Sequence, residues 1–222
     1  MSQPIYRLVE TTPPATEPLT LSEMKLFLRV DHGNDDTLVT GLISTARQLC
    51  ENATGRSLIT RSYSLYLDEW PRQSRMSPSS LFRTGWWDGM REGADIFLNS
   101  GFLTLPQPPL LSVTRINVYA ADNSAAEFAS SNYFVDTAGV PGRIVLTLGA
   151  AAPVPGRAAN GIEIQFTAGY GAAATDVPAL LRQGMRQMIA HLYEHRGDSP
   201  DQALLASGSA AIFQSYRVMN LS

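Results

Sequence analysis

The stretch NDDTLVTGLISTARQLCENATGRSLITRSYSLYLDEW, residues 34–70, changes its period part-way along. In its first half Leu38, Leu42, Ile43, Ala46, Leu49 and Cys50 recur at three- and four-residue spacing, the apolar stripe of an amphipathic helix. Asn34 or Asp35 caps that helix, and the acidic start suits the helix dipole. Gly55 stands where a left-handed C-terminal cap belongs. Past it, Ile59, Arg61, Tyr63, Leu65 and Leu67 take one parity, while Thr60, Ser62, Ser64 and Tyr66 take the other. That alternation is a strand. The chain therefore passes from a helical part to a β part near residue 58.

Upstream, LTLSEMKLFLRVD (residues 19–31) predicts a helix capped by Thr20 or Ser22. Leu21, Met24 and Leu28 form its apolar face, with Leu26 and Phe27 beside it. Residues 1–18 contain Pro4, Pro13, Pro14 and Pro18, which remove backbone donors and favour extended geometry. They predict an extended arm with a short strand at 5–9.

Downstream, strand patterns occur at Phe102–Leu105, Val113–Tyr119, Tyr133–Val135, Ile144–Leu148 and Ile162–Thr167. Turn clusters at 106–109, 122–123, 141–142 and 153–161 separate them. The helical period returns after Asp176. Pro178 fits the first turn of a helix VPALLRQGMRQMIAHLYEHR that ends at Gly197. PDQALLASG predicts one short helical piece, and AAIFQSYRVMNLS reads as an amphiphilic tail too short to be a core element by itself.

The order helices–strands–helices predicts an α+β fold. The N- and C-terminal helices each have one apolar stripe, so they must pack together as a small bundle. An antiparallel β-sheet or sandwich domain is inserted between them. The implied organisation is an arm at 1–18, a bundle from 19–57 and 170–206, an inserted β domain at 58–169, and a tail at 207–222. The β domain contains a long loop at 71–101, rich in Ser, Gly and Arg and without period. Its pair Trp86 and Trp87 either anchors a partner or covers the sheet edge of its own subunit.

Composition narrows the function. At 222 residues, 44% apolar, the chain supports a real core. A net charge of -3 argues against an all-over basic nucleic-acid footprint and leaves a local patch open. Cys50 is the lone cysteine, so no intrachain disulfide forms; it reads as a buried, inert thiol. The sequence shows no signal-peptide pattern and no run of 18 apolar residues, which predicts a soluble chain made in the cytoplasm, without membrane contact.

One motif suggests chemistry. His191, Glu194 and His195 spell H-x-x-E-H, a zinc-hydrolase pattern. On a wheel of about 100° per residue, His195 lies roughly 40° from the stripe of Leu181, Met185, Met188 and Leu192, His191 roughly 80° and Glu194 roughly 140°. The two histidines are neighbours on one face. A catalytic zinc needs three protein ligands, and no glutamate follows Glu194; only Asp198 and Asp201 remain, in a turn. The simpler reading has His195 closing the apolar stripe and His191 at a helix or subunit edge. No G-x-S-x-G, no P-loop and no G-x-G-x-x-G occurs. The residues offer no catalytic set, no metal site and no cofactor site, so a non-enzymatic protein is expected.

A family resemblance adds to this. Leu19, Thr20, Glu23, Lys25, Leu28, Arg29 and Val30, then Asp35 and Asp36, then Ala46, Arg47, Glu51, Thr54, Gly55, Arg56 and Leu58 form an ordered set. It resembles the N-terminal signature of the gp6-like head–tail connectors of tailed phages, including the related putative phage DNA-packaging proteins. Gly169, Tyr170, Val177, Pro178, Leu181, Ala190, His191, Tyr193, Glu194, Arg196 and the final SYRV are similar to the family's C-terminal half. The loop at 71–101 looks longer than the family's usual form.

The resemblance implies a virion structural protein at the head–tail interface. Copies form a ring, usually twelvefold, below the portal protein; the ring extends the DNA channel and docks neck, stopper or tail proteins. It further implies a C-terminal segment that engages the portal, here Ile212, Phe213, Tyr216 and Arg217, docking as a flexible tail. Arg182 and Arg186, on the polar side of the last long helix, are candidates to face the channel or to pair with acidic neighbours. Two other readings compete: a β-domain binding module of a tail or neck using Trp86 and Trp87, and a zinc hydrolase using His191, Glu194 and His195.

Overall fold

The computed structural model describes residues 6–71 and 102–218. The first strand, β1 (Tyr6–Thr12), lies in what the sequence marked as an extended arm. It is the edge of a sheet, paired antiparallel with β2 (Arg61–Leu67) from Tyr6↔Leu67 to Thr12↔Ser62, with an irregularity between Glu10 and Thr12. Pro13 and Pro14 stop it, since neither can donate to a ladder.

Two helices follow. Helix α1 (Leu21–Leu28) starts in a capping box. The Glu23 amide donates to Thr20 Oγ1 at 3.2 Å, and the Thr20 amide donates back to Glu23 Oε2 at 2.9 Å. Helix α2 (Asp36–Thr54) ends at Gly55, whose φ of 69° is the left-handed geometry expected there. Its stripe is turned by about one position from the one read in sequence: Val39, Ile43, Ala46 and Cys50 are buried, while Leu38, Leu42 and Leu49 are half-buried.

Among the described residues the β part forms two antiparallel sheets. One has the order β1-β2-β8-β4-β5 and the other β3-β7-β6. The remaining strands are β3 (Phe102–Thr104), β4 (Leu110–Tyr119), β5 (Ala125–Glu127), β6 (Tyr133–Asp136), β7 (Arg143–Leu146) and β8 (Ile162–Ala168). β8 is central to the larger sheet and alternates strictly: Ile162, Ile164, Phe166 and Ala168 enter the core between the sheets, with Glu163, Gln165 and Thr167 on the other face. Opposite Phe166, Tyr63 of β2 stacks on its ring at 5.4 Å.

The chain returns to helix at α3 (Ala179–Glu194), α4 (Pro200–Ala206) and α5 (Ser209–Tyr216). Val39, Ile43, Ala46 and Cys50 of α2 share one core with Leu181, Met185, Met188 and Ile189 of α3. Helices from both ends of the chain therefore form one bundle with the sheets looped out between them. Among the described residues no helix is long and apolar enough to cross a membrane.

The C-terminal segment differs from the free tail read in sequence. Residues 209–216 are a helix packed on α2 and α3, and Phe213 is 1% exposed in the bundle core. Its seat exists because α3 carries Gly184 at the crossing, which lets the ring approach the helix backbone. Two further bonds hold the end of α5 to the end of α2: Arg56 Nε donates to the Tyr216 carbonyl at 2.6 Å, and the Val218 amide to the Thr54 carbonyl at 2.9 Å.

Candidate functional site

The histidine motif sits at the C-terminal end of α3. His191 Nε2 and Asp198 Oδ2 are 2.8 Å apart, and the His191 and His195 rings stack at 4.4 Å. His195 Nδ1 is 3.2 Å from the His191 carbonyl. His195 is exposed, so it does not close the apolar stripe as expected; α3 has already ended at Glu194 and the cap carries His195 away from the core. Glu194 faces solvent, as the wheel places it. Among the described residues no three of His, Cys, Asp and Glu gather into a metal-binding group. What the arrangement does is fasten the α3–α4 turn, with Asp198 as the fastener.

Arg182 and Arg186 meet α1 rather than standing free. Arg182 Nη2 lies 2.5 Å from Glu23 Oε1, and Arg182 Nε donates to the Pro18 carbonyl at 3.1 Å. Arg186 is 3.5 Å from the same carboxylate. The Thr20 amide first, against a burial penalty, and then the Arg182 guanidinium hold the Glu23 carboxyl below its usual range. Of the tail residues, Phe213 is buried, Ile212 and Tyr216 are half-buried and Arg217 is exposed. Trp86 and Trp87 lie outside the described residues.

Two polar clusters were not read in the sequence. The first joins bundle to sheet. Glu51 of α2 receives Arg47 at 3.0 Å, Arg61 of β2 at close range and the Leu58 amide at 3.0 Å. Arg47 also reaches Glu17 at 2.8 Å, and Arg61 reaches Glu10 at 3.0 Å. Five charged groups thus tie the N-terminal arm, α2 and β2 into one body. Burial outweighs the two arginines and raises the Glu51 carboxyl above its ordinary range.

The second cluster surrounds Glu163 on the outer face of the larger sheet. Ser64 Oγ, Tyr66 Oη and Gln165 Nε2 donate to its Oε1 at 3.0, 3.2 and 2.9 Å. Asn117 Nδ2 and Tyr119 Oη donate to its Oε2 at 3.1 and 2.7 Å. Burial alone would raise this carboxyl, but the donors, led by Gln165 and Tyr119, win and take it down to about 2. Glu10, Arg47, Glu51 and Arg61 of the first cluster line a cavity of about 480 Å³, in which their charges are already paired with one another. Cys50 is no nucleophile, because burial raises its thiol far above the ordinary range.

With this geometry in view, residues 18–81 match the family model described as phage gp6-like head-tail connector protein. The matched segment includes α1, α2 and β2, hence the first half of the bundle, Arg47, Glu51 and Arg61 of the charged junction and the entry into the sheet. Comparison with curated proteins found no match. Among solved structures, a chain in the virion of a native gene transfer agent particle aligns with a TM-score of 0.72 at 24% identity, over 96% of each chain. A chain in the neck of the empty particle, computed with C6 symmetry, aligns at 0.69 and 23% identity, again over 96% of each. One in the neck of the native particle, computed with C12 symmetry, aligns at 0.67 and 24%, with the same coverage. At these identities the likeness is one of fold, and it extends through the sheets and the C-terminal helices.

Proposed function

We propose that this protein is a head–tail connector of a phage-like particle. Copies close into a ring below the portal, extend the DNA exit channel and offer a docking surface to the next neck or tail component. The observation that carries this reading is the match of residues 18–81 to the connector family model, a segment that takes in α1 and α2, the helices that α3 and α5 complete into a bundle. The likeness of fold over 96% of chains from gene transfer agent necks supports it. A twelvefold ring is the expected stoichiometry.

Such a role needs no catalysis and no base reading. DNA passes through the ring without sequence recognition, which suits a chain of net charge -3. Arg182 and Arg186 serve mainly to hold α1 on α3 through Glu23. Portal contact falls to the C-terminal end, where Arg217 emerges beyond α5. Phe213 then acts as the anchor that fixes where the end emerges.

Electron microscopy of the purified protein, alone and with the portal of its own particle, tests the proposal. Rings on the portal are expected, and removal of residues 217–222 should abolish them while leaving the helical circular dichroism signal. Chains that remain monomeric at high concentration and ignore the portal would refute it.

A further inference from the structure

Helices α2 and α3 pack as a pair, and such a pair has two grooves. Helix α1 packs against both, and α5 packs against both while also carrying α4; α1 makes no substantial contact with α4 or α5. On α3, Arg182 and Arg186 meet α1, while Gly184, roughly 160° round the helix from both, meets Phe213 of α5, which puts α1 and the α4–α5 unit on opposite flanks of the bundle.

Each flank exposes a large apolar side chain next to an unpaired charge. On α1, Leu26 is 82% and Phe27 42% exposed, while Met24, on the side away from Leu26, is completely buried. Arg29 follows at the cap, exposed and without a partner among the described residues. On α4, Leu205 is 75% exposed. Asp201, four residues earlier, shares its face and is also exposed and unpaired among the described residues. One flank is thus apolar with a cation, the other apolar with an anion. A ring of identical subunits needs this arrangement: two different, complementary faces on opposite sides of one chain.

We infer that the Leu26–Phe27–Arg29 face of one copy packs head-to-tail on the Leu205–Asp201 face of the next. The inference rests on the connector reading and names the surfaces that close its ring. The partner is a second copy because the two faces complement each other and because a neck holding a chain of this fold was computed with C12 symmetry.

The test uses the full chain in sedimentation velocity and microscopy, alone and on the portal. Leu26→Glu with Phe27→Glu spoils one face, and Leu205→Glu spoils the other. Each variant should keep the wild-type thermal melt and fail to form rings. Mixed together, they should form one-to-one pairs and nothing larger, since each retains one intact face. Arg29→Asp or Asp201→Arg alone should raise the half-assembly concentration about tenfold or more, and the two together should restore it. Rings formed by either apolar-face variant overturn the inference and leave the connector reading standing; these surfaces would then belong to another partner. A wild-type chain that forms no ring in either setting overturns both.

Discussion

Gly184 on α3 and Phe213 on α5 meet so closely that a β-carbon on the glycine would stand 2.7 Å from Cε1 of the ring. The contact makes α5 part of the bundle. Gly184→Leu should therefore expel the ring and destabilise the protein by about 1–3 kcal/mol, the usual cost of overpacking a filled core. Phe213→Ala should cost about 3–5 kcal/mol by leaving the seat empty. Because both changes damage one contact, the double variant should lose clearly less than the sum. Urea midpoints of the four proteins measure this; additive losses would show that the two residues do not share a seat.

Glu163 should make stability depend on acid. Its folded pKa, about 2, lies below the ordinary 4.5, so the folded state holds the ionised form. The stabilisation is fully present above the unfolded value and is lost as pH falls from about 4.5 toward 2. Glu163→Gln removes the charge and turns one acceptor oxygen into a donor facing Asn117 and Tyr119 or Ser64 and Tyr66. We expect a loss of about 1–3 kcal/mol at neutral pH, allowing for water at the rim, and a flatter stability profile between pH 5 and 2. Unfolding curves across that range check it; parallel profiles for the two proteins would refute the assignment.

These two features differ in how visible they are in the sequence. The bundle was legible because α2 and α3 each repeat an apolar stripe, and the change to alternation after Gly55 marks the border by itself. The seat of Phe213 was not, because the glycine that receives it lies on another helix. The short strand expected at 5–9 within the arm is β1, which runs on to Thr12; its partner β2 lies some fifty residues away, so the pairing itself has no local signal. β5 was missed since Ala125, Ala126 and Glu127 have little strand preference and pair through the turn at Asn123, whose φ is 65°. Glu163 reads locally as an ordinary outward residue of an alternating strand. Four of its five donors come from β2 and β4, and no local pattern announces them.

The junction cluster predicts an asymmetry between its members. Arg61→Met leaves Glu51 buried with Arg47 as its remaining guanidinium and frees Glu10, and should cost about 3–5 kcal/mol. Glu51→Gln should cost less, about 1–2 kcal/mol, because Arg61 keeps Glu10 and Arg47 keeps Glu17. Burial already disfavours the Glu51 charge, which acts in the same direction. Chemical denaturation of the two variants decides the order, and an equal or reversed ranking would show that Glu10 and Glu17 do not sustain the two arginines once Glu51 is neutral.

The last prediction separates the structural role of the histidine motif from metal chemistry. If His191 and Asp198 fasten the α3–α4 turn by a direct hydrogen bond, no ion is needed between them. Purified protein should then carry far less than one zinc per chain, and a chelator should leave its melting temperature unchanged. Asp198→Ala should lower stability by about 0.5–1.5 kcal/mol, the range of one ordinary hydrogen bond, and loosen α4, which bears the Leu205 face. His195→Ala should change little, since that ring is exposed and stacks only on His191. Elemental analysis with thermal melts makes the measurement. Stoichiometric zinc that leaves with a drop in melting temperature, and is absent from the His195→Ala protein, would return the motif to the metal-enzyme reading.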